Sequence, residues 1–297
     1  MSGAPADRRA RMRIDKGLDL DTRDGMTATE MAAFRAAYEN THGQVLDAYE
    51  FWLEHNPRVV KSHRIQARYT ADAEGLALPL HGTLGFLHLY TVLAYDAGIA
   101  YEVHHSRSLG ASKAAVLQTL EIAFIHCGPR GIGTARQASG QLLTQWPDAE
   151  LDMAPVFPAG WQRDPEAFQI GIDLAQPEMS AAELSAVREW YRRTAGEVPA
   201  HVEFLAAGRP GLLKAHLDRM MRAMAGPLPK QMYPFLLLQM FVAQGNPAGI
   251  REAALLGRGL GLTTGQLFEA AAWGSMYGGM ASLSVARQAA GEVFGVS

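Results

Sequence analysis

The chain has only one cysteine, Cys127, among its 297 residues. A single thiol excludes an internal disulfide framework, a four-thiolate zinc site and a two-cysteine redox motif. Charge of either sign is also sparse, because 27 Lys and Arg stand against 30 Asp and Glu, for a formal net charge of −3. This balance argues against nucleic acid as a partner, since phosphate backbones are bound by basic faces.

Long hydrophobic runs are missing as well. The most apolar stretch, Phe235 to Ala243, is far shorter than the roughly 20 residues that span a bilayer. The N-terminal segment has no apolar core of the kind found in a secretory signal. We therefore expect no membrane partner and a cytoplasmic location. No Gly-rich phosphate loop, dinucleotide fingerprint or nucleophile elbow is present. Strand-like alternation is also absent, so the predicted fold class is all-α.

The sequence repeats itself. Met26 to His63 aligns with Met179 to His216 at a constant offset of 153, and 14 of the 38 aligned positions are identical. A second block, His126 to Ala138, aligns with Tyr277 to Ala289 at an offset of 151. Two matches in the same order indicate a tandem duplication of a whole domain.

Prolines mark the junction between the copies, at Pro147, Pro155, Pro158, Pro165 and Pro177. They interrupt every helical period and predict a linker. The predicted organisation is a flexible N-terminal arm over 1–25, copy 1 over 26–145, a linker over 146–178 and copy 2 over 179–297.

Capping signals predict where the helices begin and end. Thr27 precedes Glu30, and Ser180 precedes Glu183, with the spacing of a capping box. Each copy is predicted to hold six helices: a long one (27–55; 180–207), a shorter one after Pro57 or Pro210, a buried one (80–96; 230–244), a short one (99–109; 248–260), an apolar one (112–127; 263–277) and a closing one. The apolar helix of copy 1 carries a predicted core stripe of Val116, Leu117, Leu120, Ala123, Phe124 and Cys127.

One block resembles a known family. Residues 101–138 contain an acidic residue and histidines before a helix end, then Gly110, a Ser112 helix start, an amphipathic helix and the step His126-Cys127-Gly128-Pro129. This block is similar to the core of the carboxymuconolactone decarboxylase family, which is related to the alkylhydroperoxidase D-like proteins. Residues 251–280 have the same skeleton in copy 2.

The resemblance implies two tandem alkylhydroperoxidase D-like helical domains that assemble into a homo-oligomer, as a trimer or a dimer of the two-copy chain. It also implies a lyase or decarboxylase that needs no cofactor and acts on a small oxo-acid or lactone, such as one derived from aromatic catabolism. The peroxidase branch needs two cysteines, so it is excluded. In the decarboxylase branch a histidine follows the glutamate by four residues, whereas here His104 and His105 follow Glu102 more closely.

Histidines are distributed unevenly, with eight of the ten before residue 127. At the aligned positions of copy 2, His104 and His105 are replaced by leucines and His126 by a tyrosine. This asymmetry predicts an active copy 1 and a degenerate copy 2. The candidate catalytic residues are Glu102, His88, His104, His105 and His126. Adjacent helical residues point about 100° apart, so one of His104 and His105 is expected to face inward. His63 and His216 occur in both copies and are interpreted as structural.

Three functions stay open from the sequence. In the first, the histidines act as acid and base while loss of CO₂ leaves an enolate that is protonated at carbon. In the second, His88, His104, His105 and His126, with Glu102, bind a divalent metal such as Zn²⁺, Fe²⁺ or Mn²⁺. In the third, the chain is a ring-forming binding protein without catalysis. In all three, Cys127 is expected to be a packed, inert thiol.

Overall fold

The computed structural model describes residues 13, 15–71, 80–146 and 157–296. Over these residues it contains α-helices, one short 3₁₀-helix (Pro165–Phe168) and no β-strand, which confirms the all-α prediction. The α-helices are α1 (Ala28–His42), α2 (Asp47–His55), α3 (Pro57–Ala71), α4 (Leu80–Leu93), α5 (Asp96–Ser108), α6 (Lys113–Gln145), α7 (Ala181–Ala195), α8 (Ala200–Gly208), α9 (Pro210–Ala223), α10 (Met232–Gln244), α11 (Pro247–Gly259), α12 (Thr264–Gly278) and α13 (Ala281–Ala290). None of these helices is long and apolar enough to cross a membrane.

The chain forms two compact units. Unit 1 consists of the described residues of Met1–Leu120 and Pro129–Phe157, and unit 2 of Glu121–Gly128 and the described residues of Pro158–Ser297. The middle of α6 therefore belongs to unit 2, although the repeat pattern placed all of 26–145 in one copy. The helix is interrupted there at Gly128, which has φ 62° and ψ −155° and is followed by Pro129. Glycine tolerates this conformation because it has no Cβ.

The predicted capping boxes are present at α1 and α7. In each, the Ser or Thr side chain accepts from the glutamate backbone N–H, and the glutamate side chain accepts from the capping residue. The predicted long helices over 27–55 and 180–207 are wrong, because each is two helices. The break lies at Gly43 (φ 75°) and at Gly196 (φ 80°), which end α1 and α7 in the left-handed conformation.

Two ion pairs of the same kind tie the resulting helix pairs together. In unit 1, Arg35 Nη2 on α1 lies 2.7 Å from Glu50 Oε2 on α2. In unit 2, Arg188 Nη2 on α7 lies 2.7 Å from Glu203 Oε2 on α8. Each arginine also donates from Nε to the same carboxylate. The planar guanidinium fits a carboxylate through two donors, so these contacts fix the angle between successive helices.

A buried lysine meets the capping glutamate in each unit. Lys61 Nζ on α3 lies 3.2 Å from Glu30 Oε1, and Lys214 Nζ on α9 lies 2.7 Å from Glu183 Oε1. The capping carboxylate therefore serves both the helix N-terminus and a third helix.

The N-terminal stretch differs from the flexible arm that the sequence suggested. Asp15, Lys16, Leu18 and Leu20 are buried, and the two leucines belong to the same hydrophobic core as Phe34. Burial of these apolar side chains holds the segment against unit 1. Residues 1–12 and 14 of the predicted arm lie outside the described residues.

The second half of the predicted linker is packed in unit 2. Phe168, in the 3₁₀-helix, is fully buried, and Trp190 Nε1 donates to the carbonyl of Ala167 at 2.9 Å. Lys230 Nζ lies 2.8 Å from Asp164 Oδ2. Residues 147–156 of the linker lie outside the described part of the chain.

The apolar helices form the core as their composition predicts. Helix α10 packs against α11 and α12, and α4 packs against α5. A helix that is apolar on all sides is stable only when it is surrounded by other elements. The predicted stripe of α6 is partly wrong: Val116, Leu120 and Ala123 are buried, whereas Leu117 and Phe124 are exposed and Cys127 is half-buried.

Candidate active site

The inward face of α5 carries the first part of the site. Tyr101, Glu102 and His105 are buried where α5 packs against α1 and α4. Glu102 and His105 are three residues apart, a spacing that places them on one helical face. His105 Nδ1 lies 3.7 Å from Glu102 Oε2 and 3.4 Å from Thr83 Oγ1 on α4. The carboxylate and the hydroxyl therefore approach the same ring nitrogen.

The neighbouring histidine points the other way, as adjacent helical residues must. His104 is exposed, and its ring lies over Gly43, where an added Cβ would meet ring atoms at 3.1–3.2 Å. Burial of part of the ring lowers the pKa of His104, and the charge of Arg107 acts in the same direction. Of the predicted pair, His105 is the residue that joins the buried site.

Helix α1 adds a histidine that the sequence analysis did not select. His42 is buried, and its ring centroid lies 3.9 Å from that of Tyr101 and 3.7 Å from that of His105. Its Nδ1 lies 2.5 Å from Thr41 Oγ1. His42 is in the last turn of α1, next to the glycine that ends the helix, where a histidine is also favoured by the helix dipole.

Two buried cations complete the arrangement, and neither was predicted as a site residue. Lys16 Nζ lies 5.4 Å from the ring centroid of Tyr38 and donates to Thr41 Oγ1 at 3.4 Å. Arg64, on α3, has its guanidinium carbon 5.9 Å from the same ring. Lysine and arginine are rarely buried unless they are paired. We call Lys16, His42, Arg64, Glu102 and His105 the ionisable cluster.

Burial changes the protonation of this cluster. It raises the pKa of Glu102 well above its ordinary value, and the positive charges of Lys16 and Arg64 oppose this shift without reversing it. Burial, with the charge of Arg64, lowers the pKa of Lys16 to about 7. Burial likewise lowers the pKa of His42 well below its usual value, and the neighbouring His105 acts in the same direction. Near neutral pH, the cluster therefore holds groups that can give and accept protons.

The other predicted site residues lie elsewhere. His88 is fully buried within α4, on the helix that also supplies Thr83. His126 belongs to unit 2, whereas the whole ionisable cluster belongs to unit 1. Burial lowers the pKa of His126 to about 4, and the charges of His216 and Arg219 contribute. The structure therefore joins Glu102 and His105 but groups His126 with a different set of residues.

The metal ligands proposed from the sequence differ in burial and in the unit to which they belong. His104 is exposed, His105 is buried and His126 lies in unit 2. Over residues 13, 15–71, 80–146 and 157–296, no three His, Cys, Asp or Glu side chains are arranged to hold a metal ion.

Comparisons of the chain with models of known protein families, with curated proteins and with solved structures give no match.

Proposed function

We propose that the ionisable cluster is the active site of a cofactor-independent lyase, of the decarboxylase type, that acts on a small oxo-acid or lactone. The observation that supports this most is the burial of five ionisable side chains of both signs in one place. Burying a charged group costs several kcal/mol even when it is partly compensated. A cluster that costs stability and shifts several pKa values is typical of a functional site.

The repeat provides an internal comparison for this proposal. At the offsets of the sequence repeat, 153 for the first block and for Arg64 directly after it, and 151 for α5, four cluster positions correspond to apolar residues of unit 2. These residues are Ala195, Leu217, Ala253 and Leu256, and all of them are buried. We propose that the two halves are copies of one alkylhydroperoxidase D-like domain. On this basis, the scaffold needs apolar side chains at these positions, and the ionisable residues of unit 1 serve chemistry.

The proposed reaction divides among these residues. The C–C bond to a carboxylate breaks, CO₂ leaves, and the electron pair moves into a neighbouring carbonyl to give an enolate. Arg64, which stays charged, and Lys16 stabilise the enolate oxygen. Glu102, whose pKa is raised by burial, is the proton donor and delivers a proton, directly or through His105, to carbon. His42 holds the rings of Tyr101 and His105 in place.

The test is a comparison of variants at neighbouring positions on α5. Glu102→Gln and His105→Asn should each lower turnover by at least about 10²-fold, because general acid–base catalysis contributes about this much. His104→Ala, at the exposed neighbour, is the matched control and should keep most of the activity. Turnover of a panel of β-oxo-acids and carboxylated lactones would be followed by CO₂ release. In D₂O, one solvent deuteron should be incorporated at carbon, and proton NMR of the product should show the corresponding loss of one proton signal.

Normal turnover by folded Glu102→Gln and His105→Asn proteins would contradict the assignment. Metal analysis of the purified wild-type protein, together with an activity assay after chelation, would distinguish this proposal from a metal-dependent lyase. Activity of a cofactor-independent lyase should persist after chelation.

We also propose that the chain forms a homo-oligomer, a trimer or a dimer. Large apolar side chains are exposed in both units, and exposed apolar surface of this kind is common at protein interfaces. They include Phe51, Tyr69, Phe204, Leu212, Phe268 and Met280. Light scattering at micromolar concentration should give a mass of two or three chains, and a monomer would contradict the proposal.

A further inference from the structure

We propose that unit 2 contains a second ligand site, which binds the carboxylate of a small aromatic acid. The site is built by His201, His216, Arg219, Glu252 and Phe124, which we call the unit 2 site. The proposal does not rest on the function proposed for unit 1, because the two sets share no residue. It also goes beyond the expectation that the second copy is degenerate.

Four elements supply these residues. His201 lies on α8, His216 and Arg219 on α9, Glu252 on α11, and Phe124 in the part of α6 that belongs to unit 2. His201 Nδ1 lies 3.3 Å from Glu252 Oε2, and the rings of His201 and His216 have centroids 6.1 Å apart. No pair of them is close in sequence except His216 and Arg219, which are three residues apart on one helical face.

Glu252 prepares His201 for an anion. A carboxylate on Nδ1 fixes the orientation of an imidazole and directs Nε2 away from the carboxylate, where it can donate to a ligand. The hydrogen bond with Glu252 raises the pKa of His201. The side chain of His201 is 43% exposed and that of Glu252 is 18% exposed, so the histidine is the accessible member of the pair.

Arg219 supplies the permanent charge. Its Nη2 donates to the carbonyl oxygen of Phe124 at 2.9 Å, and its guanidinium carbon lies 4.7 Å from the centroid of the Phe124 ring. These contacts hold the guanidinium over the Phe124 ring, while Arg219 and Phe124 both stay exposed. A guanidinium has five N–H donors, so one bond to a carbonyl leaves enough for a carboxylate.

The nearby histidines set the charge of the site at neutral pH. Burial lowers the pKa of His216, and the charge of His201 acts the same way, so His216 is a neutral donor. Burial also lowers the pKa of His126, which stacks edge-on against Phe241 at 6.2 Å, to about 4. The charged members of the unit 2 site are therefore Arg219, His201 when protonated, and Glu252, which is paired with His201.

This combination fits a planar aromatic carboxylate. Arg219 and His201 bind the carboxylate, and the exposed ring of Phe124 packs against the apolar body of the ligand. A neutral isostere would lose the charge-assisted bonds and keep only the stacking. Inorganic phosphate would keep the charge and lose the stacking. These two compounds therefore separate the contribution of the charge-assisted hydrogen bonds from that of stacking on Phe124.

The experiment uses the full-length protein with ¹⁵N-labelled histidine. Benzoate should cause saturable shifts of the His201 and His216 ring signals, and benzamide should bind at least about 10-fold more weakly because a hydrogen bond to a charged group is worth this much. Arg219→Gln should weaken benzoate binding about 10-fold or more. Arg222→Gln is the matched control, because Arg222 is exposed on the same helix and pairs with Asp218, and it should change binding less than about 2-fold.

Three results would overturn the proposal. They are the absence of saturable shifts with benzoate, equal binding of benzoate by wild type and Arg219→Gln, and tighter binding of phosphate or benzamide than of benzoate. Circular dichroism of each variant checks its fold, and Arg219→Lys gives a second reading. The lysine keeps the charge but not the planar fork, so it should bind benzoate with an affinity between those of wild type and Arg219→Gln. The signals followed are those of His201 and His216, both in unit 2, so failure of this site and failure of the unit 1 proposal are separable.

Discussion

The contact between Gly43 and His104 allows a quantitative test of the geometry at the edge of the ionisable cluster. Gly43 ends α1 with φ 75°, and a Cβ added there would lie 3.1–3.2 Å from three ring carbons of His104. Gly43→Ala therefore introduces two separate costs. The left-handed backbone costs an alanine about 1–2 kcal/mol. Displacement of the His104 ring from its rotamer adds about 0.5–1.5 kcal/mol.

A double-mutant cycle separates these two costs. In the His104→Ala background, Gly43→Ala should cost only the backbone part, so the coupling free energy should be about 0.5–1.5 kcal/mol. Gly196→Ala is an external reference for the backbone part. Its φ is 80°, and an added Cβ would meet no atom within 4 Å.

The assay is urea unfolding followed by far-ultraviolet circular dichroism, with a shared slope for all variants. Gly43→Ala is expected to lower the free energy of unfolding by about 1.5–3.5 kcal/mol, the sum of the two costs. A coupling free energy of zero would show that the ring does not rest on Gly43. A stabilising effect of either alanine would refute the left-handed assignment itself.

The remaining predictions concern titration, packing and the thiol. The pKa of Glu30 is lowered to about 2, mainly by a hydrogen bond from the Thr27 backbone. The pKa of Glu183 is also lowered to about 2, mainly by a hydrogen bond from the buried Lys214. These folded-state pKa values lie below the unfolded value, so their stabilisation is present above about pH 4.5 and is lost as the pH falls toward 2. Acid unfolding curves of Glu30→Gln and Glu183→Gln should be flatter than wild type in this window, and unchanged slopes would contradict the shifts. Phe168→Ala should destabilise unit 2 by about 3–5 kcal/mol, because a fully buried ring is lost; Leu174→Ala, at an exposed site in the same segment, should change the midpoint little, and equal effects would show that Phe168 is not packed. Cys127→Ser should keep most activity and lose about 1 kcal/mol or less, since the thiol is only half-buried, and a folded but inactive variant would show that the thiol takes part in the reaction.

Local signals in the sequence predicted the parts of the fold that depend on neighbouring residues. The absence of strand patterns gave the all-α class, and the Ser/Thr-to-Glu spacing located the starts of α1 and α7. The breaks at Gly43 and Gly196 were missed because the apolar pattern continues across them. A glycine within a helical pattern can be recognised as a left-handed helix end only when the residues after it no longer continue that pattern.

The candidate site was predicted only where it lies within one helix. Glu102 and His105 share a face of α5, and both were selected because copy 2 has apolar residues at the aligned positions. Lys16, His42 and Arg64 come from three other segments, and no sequence pattern links them to α5. The repeat did hold a signal for two of them, because His42 aligns with Ala195 and Arg64 with Leu217. Comparing ionisable residues with apolar ones across the first block and the residue that follows it would have identified both.

The break at Gly128 determines how the protein could be divided into fragments. Cleavage of the chain after Phe157 would follow the repeat, but the fragment that begins at Pro158 would lack Glu121–Gly128, a segment of its own packed unit. That fragment would lose the carbonyl of Phe124 that binds Arg219. Separately expressed halves should therefore complement each other only when the segment Glu121–Gly128 of the first half packs into unit 2. The duplicated stretch of sequence and the stretch that packs together are different, so a truncation designed on the repeat alone would cut through unit 2.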